Sequence, residues 1–303
     1  MTLSQQIQFE RAIESEAQSL GTLTFDNLVA IVRKIFTDYS TQTAIVRNLE
    51  KLATLELLSA QSAVETLQIG FSKEAAKATY PGTTIAKSAV TKVPGPLGST
   101  TAAGKTLKNN SVDLIVNTAS KLFSEEVKSS EIESQIIGTK ANGYKDGVLK
   151  RIGNNEVVNS RTASKIGQQA GEEKARQENP DVIGYQWVSI LDGRTSVTCQ
   201  SLNGNKYYYN KSGHKPLPPA HPNCRSTTTP IYSDGSTDID VETFTEWADD
   251  NPDELLDSMG QDRYDLYVKG DLKIERFTDI LGNPLSLDEL KRKNANAAKK
   301  ADI

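Results

Sequence analysis

Residues 183–191 read I-G-Y-Q-W-V-S-I-L, and this stretch decides the fold. Tyr185 and Trp187 alternate against Gln186, Val188 and Ile190. Side chains of a strand point to opposite faces in turn, so an alternation of period 2 marks a strand with one buried face. Upstream the apolar period is that of a helix. The chain therefore changes architecture at about Pro180.

Upstream, Leu28, Ile31, Val32, Ile35 and Phe36 share one helical face, with Thr24 or Asp26 as the expected cap. A second helix is expected from about Gln42 to Gln68, with Ile45, Leu49 and Leu52 in one stripe continued by Leu55, Val64 and Leu67. The run from Tyr80 to Asn110 is rich in Pro, Gly, Ser and Thr and reads as an extended linker or arm. It lies in a span, Glu74 to Asp113, with no acidic residue inside it, whereas Lys77, Lys87, Lys92, Lys105 and Lys108 are present. Such an arm suits DNA phosphates or an acidic protein surface. Helical signal resumes near Ser111 or Asp113, with Ile115, Ala119 and Leu122 on one face. A further helix, Ala- and Gly-rich on one face, is expected over about Asn159 to Gln177, stopping before Asn179-Pro180.

Downstream of the first strand come the turn D-G-R-T at Asp192 to Thr195, then Cys199, then the turn at Asn203 to Asn205. Lys206 to Asn210 is a second strand candidate and R-S-T-T-T-P-I-Y a third. Between them lies P-L-P-P-A-H-P-N-C-R-S, holding one of the two cysteines and one of the two histidines. From Asp234 the chain is acidic. Phe244 and Trp247 anchor one expected helix, Leu255 and Leu256 a second that ends near Gly260, and Ser286 with Glu289 forms a capping box for a last one.

The fold class is therefore α+β: a mainly helical N-terminal region, then a small mixed α/β C-terminal module with a short antiparallel sheet. The expected divisions are helical 1–79, a basic Pro/Gly-rich linker or arm 80–110, helical 111–180, a small β module with the Cys/His loop 181–235, and an acidic helical region 236–303. A length of 303 residues and a 37% apolar share suit modest cores, with partly extended structure, rather than one large compact enzyme. A net charge of −4 gives no global pull toward nucleic acid, so any basic surface is local. Two cysteines make no secreted disulfide framework. The first residues lack a signal-peptide pattern, and no apolar run approaches the ~20 residues of a membrane span. The expectation is a soluble protein of a reducing cytoplasm, without a membrane segment.

The chemistry-bearing residues gather around the sheet. His221 and Cys224 stand as H-P-N-C, a spacing at which Pro222 sets a turn, Asn223 tolerates an unusual dihedral, and two ligands aim at one ion. Cys199 offers a third ligand, and Asp192 or His214 a fourth. Tetrahedral zinc accepts sulfur, nitrogen and oxygen. A module with little core gains most from such a clip. Two other readings stay open: an unliganded pair of buried thiols, and a disulfide formed outside the cell. Catalytic patterns are thin. The deaminase H-x-E and C-x-x-C are missing, as are the phosphate-loop and H-E-x-x-H motifs. A Cys199–His221 dyad stays open at this point. Asp192 with Arg194 reads as a stapled turn before it reads as half a catalytic constellation.

Four pieces in order carry a resemblance: Y-Q-W-V-S-I-L-D-G-R-T-S-V-T-C-Q-S-L-N-G, P-P-A-H-P-N-C-R-S, M-G-Q-D-R-Y-D-L-Y-V-K-G and G-N-P-L-S-L-D-E-L. Together they resemble the Mu F-like head-morphogenesis (minor head protein) family of tailed bacteriophages, over about Asn159 to Lys293. The resemblance implies a virion component inside the head, present in the host cytoplasm during assembly. Its implied partners are portal or major capsid protein, with phage DNA touched through the lysine arm. It implies no catalytic residue and no small-molecule substrate. The matching positions are Trp187, Asp192, Arg194, Thr195, Cys199, Leu202, Gly204, His221, Asn223, Cys224 and Arg225, then Gly260, Arg263, Gly270 and Leu290. Ser196 and Ser226 stand where some relatives have cysteines, which leaves Asp192, Cys199, His221 and Cys224 as the metal set. Two rival functions remain from the sequence: a DNA-binding protein ejected with the genome, and a metal- or thiol-dependent hydrolase acting during infection.

Overall fold

The computed structural model describes residues 3–85, 100–269, 272–279 and 282–301. Among these are ten α-helices and one three-stranded sheet, the helices dominating the N-terminal part, so the protein is α+β. The chain divides into two compact units. Described residues 3–74 and 100–168 belong to the first, 75–85 and 169–301 to the second.

The first unit is helical. Helix α1 spans Leu3–Asp38 and α2 spans Gln42–Thr79. The expected start of α1 at Thr24 or Asp26 is wrong, because Ile13, Ala17 and Leu20 carry the same buried stripe upstream and Thr24 is itself buried in mid-helix. Gly21, which looks like a break, is a contact point. A methyl group added there would lie 2.3 Å from Val157 Cγ2 on helix α5, Val148–Glu178. On α2 the buried seam runs Ile45, Leu49, Ala53, Leu57, Ala60, Val64, whereas Leu55 is exposed. Alanines hold the seam where leucines were expected to.

Helix α3 spans Thr100–Ser124, so residues 100–110, expected to be extended linker, are helical. The last proline of that stretch is Pro96, and beyond it every residue has an N–H to give to a helix. Short helix α4, Ser129–Ile137, adds Ile132 and Ile136 to one core with Leu28, Leu49, Ile115 and Ile152. Arg161 pairs with both carboxylate oxygens of Glu14, at 2.7 and 2.8 Å, and Lys165 pairs with Glu10. Helix α5 stops before Asn179-Pro180, as expected, but it starts at Val148 rather than near Asn159, its first turns buried through Leu149 and Ile152.

The second unit is built on the sheet. Strands β1 (Val182–Val188), β2 (Lys206–Tyr208) and β3 (Thr227–Tyr232) lie in the order β2-β1-β3, all antiparallel. Tyr185 and Trp187 are fully buried, and Gln186 is half-buried, as the alternation requires. The last turns of α5 are fixed to β3 by Arg176, which donates to Glu172 at 2.9 Å, to the Thr228 carbonyl at 3.0 Å and to the Thr228 hydroxyl. Helix α6, Val197–Leu202, follows the D-G-R-T turn and was not expected. Helices α7 (Phe244–Asp250), α8 (Pro252–Met259), α9 (Gln261–Val268) and α10 (Leu287–Ala301) make the acidic end. Their shared core holds Phe244, Trp247, Leu255, Phe277 and Leu290, with Leu191 and Val197 packed against it. Two capping boxes, Thr243 with Glu246 and Ser286 with Glu289, start α7 and α10.

Candidate metal centre

Cys199 stands on α6, in that helix's first turn. Ser196 caps the helix, its hydroxyl accepting from the Cys199 N–H at 3.2 Å. His221 and Cys224 stand at the ends of the H-P-N-C turn. Cys224 N–H donates to the His221 carbonyl at 3.1 Å, and Asn223 has φ 59°, the left-handed conformation that Asn tolerates. The proline loop before this turn is held down by β1. The buried Tyr185 hydroxyl donates to the Pro216 carbonyl at 3.0 Å, and Leu217 and Ala220 are buried.

These elements bring Cys199, His221 and Cys224 together, all three ligand atoms lying within 4.8 Å of one another. Cys199 Sγ is 3.2 Å from His221 Nε2 and 3.6 Å from Cys224 Sγ. Both cysteines are free and buried, packed with Trp187, Leu202 and Ala220. His221 Nδ1 is 2.9 Å from the Pro222 carbonyl. A proton on Nδ1 satisfies that carbonyl and leaves the Nε2 lone pair aimed at the sulfurs, the arrangement of a metal-ligating histidine.

The donor set fits a tetrahedral ion. Bond lengths of about 2.3 Å to sulfur and about 2.0–2.1 Å to nitrogen place two sulfurs about 3.8 Å apart and sulfur and nitrogen about 3.5 Å apart. The observed 3.6 and 3.2 Å are within a few tenths of an ångström of those edges.

The two thiols are unequal. The Cys199 thiol is drawn down to about 7, chiefly by the hydrogen bond from Cys224, with Ser196, Ser226 and the Arg225 charge adding to it against burial. Cys224, the donor of that bond and itself buried, is pushed well above the ordinary thiol range. Of the two sulfurs, Cys199 is the one already drawn toward thiolate, the form that a cation binds.

Asp192 is not part of the group. Arg225 donates to its Oδ2 at 2.7 Å and its Oδ1 at 2.6 Å, and the Arg194 N–H donates to Oδ1 at 2.8 Å. The carboxyl is held below the usual range, first by the Arg225 hydrogen bonds. An aspartate with both oxygens taken by a guanidinium is a loop staple, so the four-ligand set expected from the sequence is corrected to three. His214 is exposed and lies outside the group as well. Sequence reasoning missed Arg225 as the clamp. It also missed Ser196, whose signal was the S-x-x-C spacing that puts a cap hydroxyl beside the thiol of its third helical residue.

Of the arm lysines, Lys77 is exposed near the end of α2, and Lys105 and Lys108 lie on helix α3. Lys87 and Lys92 lie outside the described residues. Apart from the metal group, a cavity of about 500 Å³ is lined by Glu173, Gln177, Tyr185, Tyr209, Lys215 and Leu217. Glu173, on its wall, accepts from the Tyr209 hydroxyl at 3.1 Å and from Gln177 at 2.9 Å, and burial raises its carboxyl. No described helix is long and apolar enough to cross a membrane. No family model matches the chain, and searches of curated proteins and of solved structures find no match.

Proposed function

We propose that the chain is a minor head protein of a tailed bacteriophage, architectural in role, whose second unit is fastened by one zinc ion. The phage reading is supported by the order of four sequence pieces that resemble the Mu F-like family, all of which lie beyond Gln169. The zinc reading is carried by one observation: the buried Cys199 and Cys224 converge with the half-buried His221, and the Cys199 sulfur stands from the other two at spacings near the edges of a zinc tetrahedron.

Cys199, His221 and Cys224 would hold the ion, which supplies a cross-link between α6 and the proline loop. The buried cluster around the cysteines is small, so a bond that closes the chain from residue 199 to residue 224 adds more than another apolar contact would. Burial of both sulfurs favours fastening over turnover.

Two measurements test the two halves. Metal analysis of the purified chain is expected to find one zinc per molecule, with Cys199→Ser and Cys224→Ser losing both metal and melting temperature. A metal-free chain of unchanged stability overturns the clip. For the assembly role, this chain is co-expressed with the portal and coat proteins of a tailed phage, and the particles are purified. The chain is expected in the heads by mass spectrometry, and heads that form normally without ever containing it overturn the phage reading.

A further inference from the structure

A two-cysteine, one-histidine set leaves a tetrahedral ion one donor short. Asp192 does not supply the fourth, because Arg225 holds both of its oxygens. Ser226 hydrogen-bonds the Cys199 sulfur and stands 3.1 Å from the Ser189 hydroxyl, which itself donates to the Cys199 carbonyl at 2.8 Å. It is tied into the support beneath that sulfur. Ser196 is placed otherwise. Its Oγ is 2.8 Å from His221 Nε2, the very atom that faces the sulfurs, and it also hydrogen-bonds the Cys199 side chain. Its position is fixed from behind, because as the cap of α6 it accepts the Cys199 N–H. The helix start that positions the thiol therefore positions this hydroxyl beside it.

Resting on the zinc reading above, we propose that Ser196 Oγ is the fourth donor of the Cys199–His221–Cys224 site, and that this neutral hydroxyl leaves the fourth position exchangeable. On metal binding, the hydrogen bond between Ser196 Oγ and His221 Nε2 gives way to two bonds to the ion, and the hydroxyl keeps its proton. A hydroxyl is a weaker donor than a thiolate. A small external ligand with a soft sulfur or an imidazole nitrogen displaces it without disturbing the three protein ligands. The site is then a closed clip on three sides with a single replaceable corner.

Cobalt(II) titration of the full chain tests this, since its visible bands report the ligands directly. Wild type is compared with Ser196→Ala, Ser196→Thr and Ser196→Cys. Wild type and Ser196→Thr are expected to give the same four-coordinate spectrum, and added imidazole is expected to shift its bands. Ser196→Cys is expected to add a third thiolate, raising charge-transfer intensity by about half. It is also expected to bind about tenfold tighter or better and to lose the imidazole response. Ser196→Ala is expected to bind about tenfold weaker. If the alanine variant fails to fold for want of a helix cap, the contrast of Cys with Thr decides. Spectra and affinities unchanged in Ser196→Cys overturn the fourth-donor role while leaving the clip standing. Failure of the wild-type chain to bind cobalt or zinc overturns both.

Discussion

Arg225 meets Asp192 fork to fork, its two terminal nitrogens 2.7 and 2.6 Å from the two carboxylate oxygens. Arg225 follows Cys224 directly, and Asp192 opens the turn that leads into α6. The pair therefore ties together the two chain segments that carry the sulfurs, from just outside the site. Asp192→Asn keeps the turn but loses the charge. It is expected to cost roughly 0.5–1 kcal/mol in urea unfolding, as partly exposed pairs do, and to leave metal content at one ion per chain. The pH sign follows from the lowered carboxyl. The unfolded state takes up this proton first as pH falls, so the stabilisation is fully present above about pH 4 and is lost as pH drops toward the folded value. The Asn variant is expected to lack that acid-side loss.

Cys199 and Cys224 are the only cysteines in the chain, with sulfurs 3.6 Å apart. In the metal-free protein, hydrogen peroxide is expected to take two electrons and two protons from the two thiols, leaving one disulfide and two waters. Non-reducing peptide mapping reads the cross-link. Zinc-loaded protein is expected to resist oxidation, because both thiolates are committed to the ion. Equal oxidation rates with and without zinc argue against ligation by both sulfurs.

Glu172 and Arg176 form a buried ion pair at 2.9 Å, 0% and 3% exposed, beneath β3. Removing one member strands the other's charge out of water, which costs more than the pair contributes. Glu172→Ala is expected to lose about 3 kcal/mol or more in denaturant unfolding, whereas Glu172→Met with Arg176→Met recovers most of the loss. Additive losses in the double variant count against a direct pairing.

The sheet was legible because its alternation shows through: Tyr185 and Trp187 go in, whereas Ile183 is exposed and Gln186 and Val188 are half-buried. The H-P-N-C turn was legible because Pro222 and Asn223 each dictate a dihedral. Helix starts were not. Thr24 and the 100–110 stretch look like boundaries by local composition, yet long-range burial or the mere availability of N–H groups carries the helix through them. The Cys199, His221 and Cys224 group was legible from residue type alone, but the exclusion of Asp192 from it was not. Asp192 is the better ligand by chemistry and was lost to Arg225, a partner 33 residues away that no spacing rule exposes.

Two helical glycines give opposite expectations from one substitution. Gly70 on α2 has nothing within 4 Å of an added methyl, so Gly70→Ala is expected to stabilise by about 0.5–1 kcal/mol through helix propensity. At Gly167 on α5 the same methyl lies 2.1 Å from the backbone carbonyl oxygen of Gln68. Backbone cannot swing aside as a side chain can, so Gly167→Ala is expected to destabilise by about 1–3 kcal/mol. Thermal melts of the two single variants check the signs.

Glu173 runs against the usual direction for a carboxylate. It is 8% exposed, and burial raises its proton affinity more than Arg176, Gln177 and Tyr209 lower it. The folded chain therefore holds this proton at pH values where the unfolded chain has released it. Its effect on stability is most favourable in acid and declines as pH rises from the ordinary value of 4.5 through the raised one. Glu173→Gln has no charge to desolvate, and its amide oxygen still accepts from the Tyr209 hydroxyl. The variant is expected to match wild type near pH 4 and to melt higher at pH 8, with the gap opening between the two. A variant that melts lower than wild type at pH 8 assigns the Glu173 charge a favourable role and reverses the sign argued from its burial.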